Sequence, residues 1–239
     1  MQIHGLNKTT LLDYPGHVAC TVFTGGCNFR CPFCHNADLV LAAHAQPTIS
    51  EETFFSFMKK RAGILEGVCI TGGEPLLQAD LTDFIRRIRS FGLKVKLDTN
   101  GYLPDKLNEL LKEGLLDYVA MDIKSSRSGY PSAAGLSADS FDYGRISESI
   151  SLLMHSGIPY EFRTTVVAGL HTPEDFDEIA DMIAGCNHYY LQSYEEKDSV
   201  LLFHTGDNAV SLSPFSPEEL RTLTERLNKA GIPTTLRGI

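Results

Sequence analysis

The chain has 239 residues, of which 43% are hydrophobic and 21% are charged, and its formal net charge is −9. This composition is typical of a globular protein and excludes collagen, a long coiled coil or extended disorder. An acidic chain repels phosphate backbones, so we expect no nucleic-acid partner. The start lacks the basic and apolar regions of a signal peptide, and no run approaches about 18 apolar residues. We therefore expect a cytoplasmic protein without a membrane partner.

Short apolar segments alternate with amphipathic segments along the whole chain. The predicted strands are residues 17–23, 67–71, 94–98, 118–123, 160–167 and 189–192, and the predicted helices are 81–91, 104–113, 140–156 and 173–184. Repeated alternation of this kind predicts an α/β fold of parallel strands with crossover helices. It does not distinguish an open, doubly wound sheet from a full or partial barrel. No low-complexity linker interrupts the pattern, which predicts a single domain over residues 1–239.

Polar residues follow the predicted strands, where parallel α/β folds place their functional groups. The segments are GGCNFRCPFCHN (25–36), GGEP (72–75), DTNG (98–101) and DIK (122–124), and Arg163 lies in the fifth predicted strand. Their joint occurrence indicates a functional site at one end of the sheet. The small-residue segment 125–139 is interpreted as a long loop, which in a compact domain is commonly functional.

The stretch CNFRCPFCHN (27–36) allows several interpretations. A CxxC redox pair would not account for Cys27. Covalent haem attachment requires export, for which the sequence shows no signal peptide. Structural zinc needs four ligands, and the adjacent Cys34 and His35 side chains diverge. Three thiolates on one loop suit a [4Fe–4S] cluster with one open iron. The spacing favours the cluster and leaves zinc as an alternative. The other cysteines stand alone in apolar segments and are interpreted as buried core residues: Cys20, Cys69 and Cys186.

The motif Cys27-x3-Cys31-x2-Cys34, together with GGEP after the second predicted strand, resembles the radical SAM enzymes. The resemblance implies a partial (β/α)6 barrel of parallel strands. It implies that the three cysteines bind a [4Fe–4S] cluster and are the catalytic residues. The open iron would be chelated by the amino and carboxylate groups of S-adenosylmethionine (SAM). Reductive cleavage of SAM would then give methionine and a 5′-deoxyadenosyl radical that abstracts hydrogen from a substrate.

The resemblance also implies roles in SAM binding for residues of the first two motifs. Phe33 would lie against the adenine, and Asn36 would help to position SAM. Gly72 and Gly73 would let the backbone approach the methionyl end closely. Glu74 would lie near the cationic amino group of SAM. His35 is interpreted as a packing residue beside the site and not as an iron ligand.

Later strands add further candidates for SAM binding. Asp98, Lys124 and Arg163 match positions that contact the ribose and the carboxylate in related activating enzymes, and the fork of an arginine suits a carboxylate. The alternative for these three residues is a structural ion-pair network. Thr99 is a further candidate, since Asp98, Thr99 and Asp122 match a monovalent cation site of some relatives.

Within the superfamily, Cys34-His35-Asn36 resembles the glycyl-radical-enzyme activating proteins. The opening GLNKTTLLDYPG (5–16) and the stretch VFTGGCNFRCPFCHN (22–36) are similar to the branch that activates anaerobic ribonucleoside-triphosphate reductase. Only a short, cysteine-free segment separates Asn36 from Ile49, unlike activators with an inserted ferredoxin-like segment. The implied partners are a glycyl radical enzyme, namely the anaerobic ribonucleotide reductase, and flavodoxin or ferredoxin as electron donor.

One departure weakens a formate-lyase assignment. The sixth predicted strand continues as LQSYEE (191–196), without the histidine of formate-lyase activators, so Gln192 or Tyr194 would take its place. The alternatives to the reductase activator are an activator of the formate-lyase type, and a radical SAM enzyme acting on a small molecule or peptide. In the latter, residues 125–139 would line the substrate pocket. A non-catalytic iron–sulfur or zinc protein is a more distant alternative.

Overall fold

A computed structural model describes residues 1–196, 200–201 and 211–238. The chain divides into two compact units. The first consists of Met1–Asn28, Asp38–Thr99 and Leu103–Ala120, and the second of Phe29–Ala37, Asn100–Tyr102 and Met121–Ile239. The single domain expected over residues 1–239 remains a prediction. No helix in the described part of the chain combines the length and the apolar character needed to cross a bilayer.

The first unit contains a sheet with the strand order β1 (Ile3–Thr10), β2 (Ala19–Thr24), β3 (Gly67–Gly72) and β4 (Lys94–Thr99). Strand β5 (Tyr118–Asp122) starts in the same unit. Strand β1 is antiparallel to β2, whereas β2, β3 and β4 are mutually parallel. The helices are α1 (Ala37–Leu41), which begins at the last residue of a second-unit segment, α2 (Glu51–Lys60), α3 (Leu81–Arg89) and α4 (Pro104–Lys112).

The second unit contains β6 (Tyr160–Ala168), β7 (Tyr189–Ser193) and β9 (Thr234–Arg237), in that strand order. These three strands are parallel, and the short β8 (Ser213–Pro214) pairs with β6 in the antiparallel sense. The helices are α5 (Tyr130–Ala134), α6 (Tyr143–Met154), α7 (Asp175–Met182) and α8 (Pro217–Lys229). Helix α8 begins with a capping box, in which Ser216 and Glu219 satisfy each other's backbone N–H groups.

All six predicted strands are confirmed, with ends that differ by one or two residues. Strands β1, β8 and β9 were not predicted from the sequence. The interpretation of residues 125–139 as a loop throughout is wrong, because α5 and a 3-10 turn at Ala138–Ser140 lie within it. Helix α6 begins later than predicted, since the Asp142 carboxylate caps it by accepting from the N–H of Gly144.

The two faces of the sheet in the first unit differ in chemistry. One face is apolar, and buried rings of α2 and α3 cluster in the same unit, with Phe54 and Phe84 centroids 5.2 Å apart. On the other face, Thr21, Cys69 and Lys96 stand side by side in the register of β2, β3 and β4. All three are buried. Buried polar groups of this kind need hydrogen-bond or ion-pair partners inside the protein.

Candidate functional site

The loops that follow β2 and β3 touch directly in the first unit. The N–H of Gly73 donates to the carbonyl of Thr24 over 2.8 Å. A Cβ atom at Gly73 would lie 1.9 Å from the carbonyl oxygen of Gly26, and one at Gly72, where φ is +112°, would lie 2.4 Å from the backbone nitrogen of Thr24. Glycine is therefore required at both positions by the close approach of the chain's own backbone. They support the backbone immediately before the first cysteine of the motif.

Glu74 and Thr99, both candidates from the sequence, are brought together at the ends of β3 and β4. Glu74 is 1% exposed, and its Oε1 accepts from the hydroxyl of Thr99 over 2.8 Å. The same oxygen accepts from the N–H of Leu76 over 3.1 Å and so caps the 3-10 turn Pro75–Leu77. The carboxylate thus fixes the turn after β3 and links it to the end of β4.

Asp98 forms an ion pair with Lys96, which lies two residues earlier on the same face of β4. Lys96 is 2% exposed, although lysine is among the residues least often buried. Asp98 is a site residue predicted from the sequence, whereas Lys96 was not predicted. The available signal was the i, i+2 spacing of opposite charges in a strand predicted to be largely buried.

The cysteines of the motif fall in both units: Cys27 in the first, Cys31 and Cys34 in the second. All three are reduced cysteines, and the N–H of Cys34 donates to the carbonyl of Cys31 over 3.0 Å, which forms a tight turn. Burial raises the pKa of Cys34, while the N–H of Asn36 and the charge of Lys124 oppose that rise. Among the described residues, the structure has no group of three or more His, Cys, Asp or Glu side chains arranged to hold a metal ion.

The loop between Cys27 and Cys31 is held from the segment that follows β5. The N–H of Arg30 donates to the carbonyl of Ala134 over 2.8 Å. Gly135 ends α5 with φ of +65°, and a Cβ atom there would lie 2.0 Å from the carbonyl oxygen of Arg30. Small residues in this segment therefore let the end of α5 approach the motif closely.

The aromatic and imidazole rings of the motif pack within the second unit. Phe33 is 5% exposed, and its ring centroid lies 5.6 Å from the Nζ of Lys124. The Nε2 of His35 lies 2.8 Å from the carbonyl oxygen of Glu195, and its ring lies 6.0 Å from that of Tyr194. Tyr194 is buried, whereas Gln192 lies half-buried in β7. These contacts support the interpretation of His35 as a packing residue.

Lys124 and Arg163, both candidates from the sequence, meet on one carboxylate. Lys124 Nζ donates to Asp122 Oδ2 over 3.0 Å, and Arg163 donates from both Nε and a terminal nitrogen to Asp122 Oδ1 over 2.9 Å. Burial alone would raise the pKa of Asp122, but the two positive charges outweigh it and lower this pKa to about 2. Burial opposes the charge of Lys124, yet Asp122 and the Cys31 thiol raise its pKa above the usual value. Lys124 and Arg163 thus belong to an ion-pair network, which was the alternative considered for them, and their role in SAM binding stays a prediction.

His171 joins the loop after β5 to the end of β6 and carries no signal in the sequence. Its Nδ1 accepts from the N–H of Val167 over 3.0 Å, which leaves the proton on Nε2, 2.8 Å from the carbonyl oxygen of Lys124. Burial lowers the pKa of His171 below 6.5. Just below pH 6.5, therefore, the imidazole of His171 stays neutral in the folded chain, whereas the same imidazole in the unfolded chain binds a proton.

We expect this neutral imidazole to make the chain sensitive to mild acid. Below pH 6.5 the unfolded chain binds a proton at residue 171 and the folded chain does not, so stability falls as the pH decreases. The fall should reach about 1.4 kcal/mol for each unit by which the pKa is lowered. The measurement is urea unfolding of the cluster-free chain from pH 7.5 to 5. His171→Asn should flatten this dependence, whereas the exposed His155→Asn should leave it unchanged. An identical slope in wild type and His171→Asn would contradict the prediction.

Comparison with known proteins identifies the family. Residues 21–183 match the model of the radical SAM superfamily, and this range spans the cysteine motif, GGEP, Asp122–Lys124 and Arg163. This chain belongs to the radical SAM superfamily. It is therefore an enzyme, and the enzymes of this superfamily use a [4Fe–4S] cluster and SAM. The cofactors expected from the motif are thereby supported at the level of the family, and the non-catalytic alternative is excluded.

Curated relatives narrow the family further. A protein of Methanocaldococcus jannaschii, provisionally named a glycyl-radical enzyme activating enzyme, is 33% identical over 201 residues, which cover 82% of this chain and 81% of that protein. The pyruvate formate-lyase-activating enzyme of Clostridium pasteurianum is 29% identical over 212 residues, covering 85% and 82% of the two chains. Within the superfamily, this radical SAM enzyme belongs with the glycyl-radical enzyme activating proteins.

A solved structure confirms the predicted fold class. The radical SAM methyltransferase of Sphaerobacter thermophilus superposes with a TM-score of 0.71 at 18% identity, covering 94% of this chain and 67% of that chain. At this identity the likeness concerns the fold alone. The mostly parallel α/β fold of radical SAM type was thus predicted correctly from the sequence.

The donor chemistry of the motif fits a [4Fe–4S] cluster. Cys27, Cys31 and Cys34 are reduced cysteines on one short stretch of chain, and thiolates are the usual ligands of iron–sulfur clusters. Cys27 and Cys34 are half-buried and Cys31 is 6% exposed, a degree of shielding that suits a redox centre. Burial raises the pKa of the Cys34 thiol, and the positive charge of Lys124 acts against this rise.

Proposed function

We propose that this radical SAM enzyme is an activase that generates a glycyl radical on anaerobic ribonucleoside-triphosphate reductase. The observation that carries the choice of partner is the opening LLDYPG (11–16) in combination with the CxxCHN ending of the cysteine motif. The activator family itself rests on the relatives described above. We further propose that flavodoxin or ferredoxin supplies the electron.

In this proposal, the thiolates of Cys27, Cys31 and Cys34 would hold the cluster, to which SAM would bind. When bound, the two cofactors supply the 5′-deoxyadenosyl radical that removes hydrogen from the backbone glycine of the partner. The protein side chains bind and orient SAM and exclude water. The residues proposed for this task are Phe33, Asn36, Gly72, Gly73, Glu74, Asp98, Thr99, Lys124 and Arg163.

The ion pairs restrict how these side chains can act. Asp122 holds Lys124 and Arg163 at fixed positions, so both cations are oriented before SAM arrives. The positive charges of these two side chains suit the carboxylate of SAM. Glu74 is already engaged by Thr99 and by the N–H of Leu76, so its contribution to the amino group of SAM comes from a carboxylate that is fixed in place.

The segment between the cysteine motif and α2 supports a short activator. It contains only α1 and a 3-10 turn at Ala43–Ala45, and it then returns to pair Ile49 with Ile3. Gly26 donates its N–H to the carbonyl of Leu39 over 2.7 Å, which holds this segment against the loop before the motif. No ferredoxin-like insertion lies here.

The segment after β5 argues against the small-molecule alternative. Its candidate pocket-lining residues are buried in packing: Ser126, Tyr130 and Ala134 are 0% exposed. The Ser126 hydroxyl donates to the Asp175 carboxylate, and Tyr130 OH donates to the carbonyl of Asp122 over 3.3 Å. The segment thus has a structural task that requires no substrate.

A formate-lyase-type partner is the second candidate. The relative from Clostridium pasteurianum carries that activity in its name and aligns with most of this chain. The sequence LQSYEE (191–196), which lacks the expected histidine, speaks against it. To decide between the two partners, the enzyme has to be tested with each of them.

The test is anaerobic incubation of the reconstituted enzyme with SAM, a reductant and either purified partner. We expect the EPR doublet of a glycyl radical with the reductase and no doublet with pyruvate formate-lyase. A reductase whose radical-bearing glycine is replaced by alanine is the matched control and should give no doublet. A doublet with the lyase alone would reassign the partner. SAM cleavage without a doublet on either protein would overturn the proposed function.

A further inference from the structure

A buried positive charge lies inside the sheet of the first unit, on the face that carries polar residues. Thr21, Cys69 and Lys96 are neighbours across β2, β3 and β4, and they are 1%, 0% and 2% exposed. The row continues along β4 to Asp98, which is 14% exposed on its side chain. An ammonium group in such a position is costly unless a carboxylate pairs with it.

Among the contacts of Lys96, the one that balances its positive charge is the contact with Asp98. Its Nζ pairs with Asp98 Oδ1, lies 3.8 Å from the Sγ of Cys69 and lies 5.9 Å from the ring centroid of Tyr118. The thiol is a weak acceptor and the ring face offers a modest attraction, so the carboxylate is the partner that compensates the charge. The converse also holds, because the partly buried Asp98 needs a nearby cation.

We propose that Lys96 is the built-in counter-charge of Asp98, and that it makes this carboxylate independent of dissolved monovalent cations. The inference rests on the proposed function in so far as Asp98 belongs to the SAM site. An alkali ion placed at Asp98 Oδ1 would share that oxygen with an ammonium group, and two like charges so close repel strongly in a buried site. Lys96 is accordingly a positioning residue that acts through Asp98.

The decisive variant is Lys96→Met, which keeps an unbranched side chain and removes the charge. The measurement is SAM affinity of the reconstituted enzyme by equilibrium dialysis, in sodium, potassium or choline chloride at equal ionic strength. Equal ionic strength keeps general screening constant. Wild-type affinity should be the same in all three salts. The variant should lose at least about tenfold in choline, because its Asp98 carboxylate has lost the charge of Lys96, and should recover in sodium or potassium.

A second measurement does not depend on the cofactors. The melting temperature of Lys96→Met without SAM should rise when choline is replaced by sodium or potassium, whereas that of wild type should not. Lys94→Met is the matched control: Lys94 lies on the same strand but is exposed, with its Nζ 2.8 Å from the Nε2 of His17. It should show no cation dependence. If Lys96→Met fails to fold, Lys96→Arg should fold and remain independent of the cation, while Lys96→Met/Asp98→Asn should regain stability in choline.

Three results would overturn the inference. These are a wild-type SAM affinity that differs between choline and the alkali cations, a Lys96→Met variant whose affinity and melting temperature ignore the cation, and a double variant that stays as unstable as Lys96→Met. Failure of the proposed function gives another pattern, in which the wild-type enzyme forms no glycyl radical. The cation-dependent melting of Lys96→Met would still be observed in that case.

Discussion

Replacement of Cys31 by alanine should remove the iron–sulfur cluster and SAM cleavage together. Cys31 belongs to the CxxxCxxC motif of a radical SAM enzyme, and no fourth cysteine in a motif is available to replace it. SAM cleavage should fall by more than about 100-fold. Substitution of residues that only contact a metal ligand typically lowers activity by about 10–100-fold. Cys27→Ala and Cys34→Ala should behave alike. The measurements are iron content, visible absorbance after anaerobic reconstitution, and 5′-deoxyadenosine formed with dithionite.

Two other cysteines provide matched controls for this loss. Cys20 is 0% exposed and Cys186 is 4% exposed, and burial raises their pKa values to about 12 and about 11. Their thiols stay protonated and do not compete for iron. Cys20→Ala and Cys186→Ala should therefore retain the cluster and the activity. Retention of a full iron complement by Cys31→Ala would contradict the ligand assignment.

Replacement of Asp122 by alanine should destabilise the chain more than most single substitutions. It would leave Lys124 and Arg163, 16% and 14% exposed on their side chains, without their shared carboxylate. Removal of one partner from a buried ion pair costs about 3–5 kcal/mol, and because Asp122 is 29% exposed we expect about 2–3 kcal/mol. Urea unfolding at pH 7 measures this change.

The pH dependence provides a second check on Asp122. Its folded-state pKa of about 2 lies below the usual 3.8, so the stabilisation is present above pH 4 and is lost as the pH falls from about 4 to 2. The alanine variant should lack this part of the acid transition. Asp83→Ala is the control, because Asp83 is 79% exposed in its pair with Arg86 and should change stability by less than about 1 kcal/mol. An equal effect of the two substitutions would refute the special position of Asp122.

The fold was largely predictable because continuous apolar segments bounded by glycine or charged residues mark buried parallel strands. Strand β1 escaped notice since IHGLNKTT lacks a clear period, and it pairs only with β2 in the strand order. Strand β9, with the sequence TTLR, is too short and polar to be recognised without β7 beside it.

The sequence allowed the candidate site residues to be predicted, but not the contacts that these residues make with one another. CxxxCxxC and GGEP are local patterns that survive in the sequence. The pairing of Arg163 with Asp122 joins residues on different strands, and no local pattern encodes it. Lys96 was overlooked because a lysine is normally taken as exposed, and its burial depends on Asp98 and on the register of neighbouring strands. Which side chains touch SAM remains a prediction.

The support of the cysteine loop has a consequence for protein synthesis. Arg30 hydrogen-bonds to Ala134, and the carbonyl of Cys34 accepts from the N–H of Leu201 over 2.9 Å. A ribosome that adds about 5–20 residues per second needs about 10–40 s to reach residue 201. Throughout this interval the three thiols belong to a nascent chain in which the loop of the cysteine motif lacks these supports. Iron delivery should accordingly follow the synthesis of residue 201, and the emerging cysteines would need protection from oxidation until then.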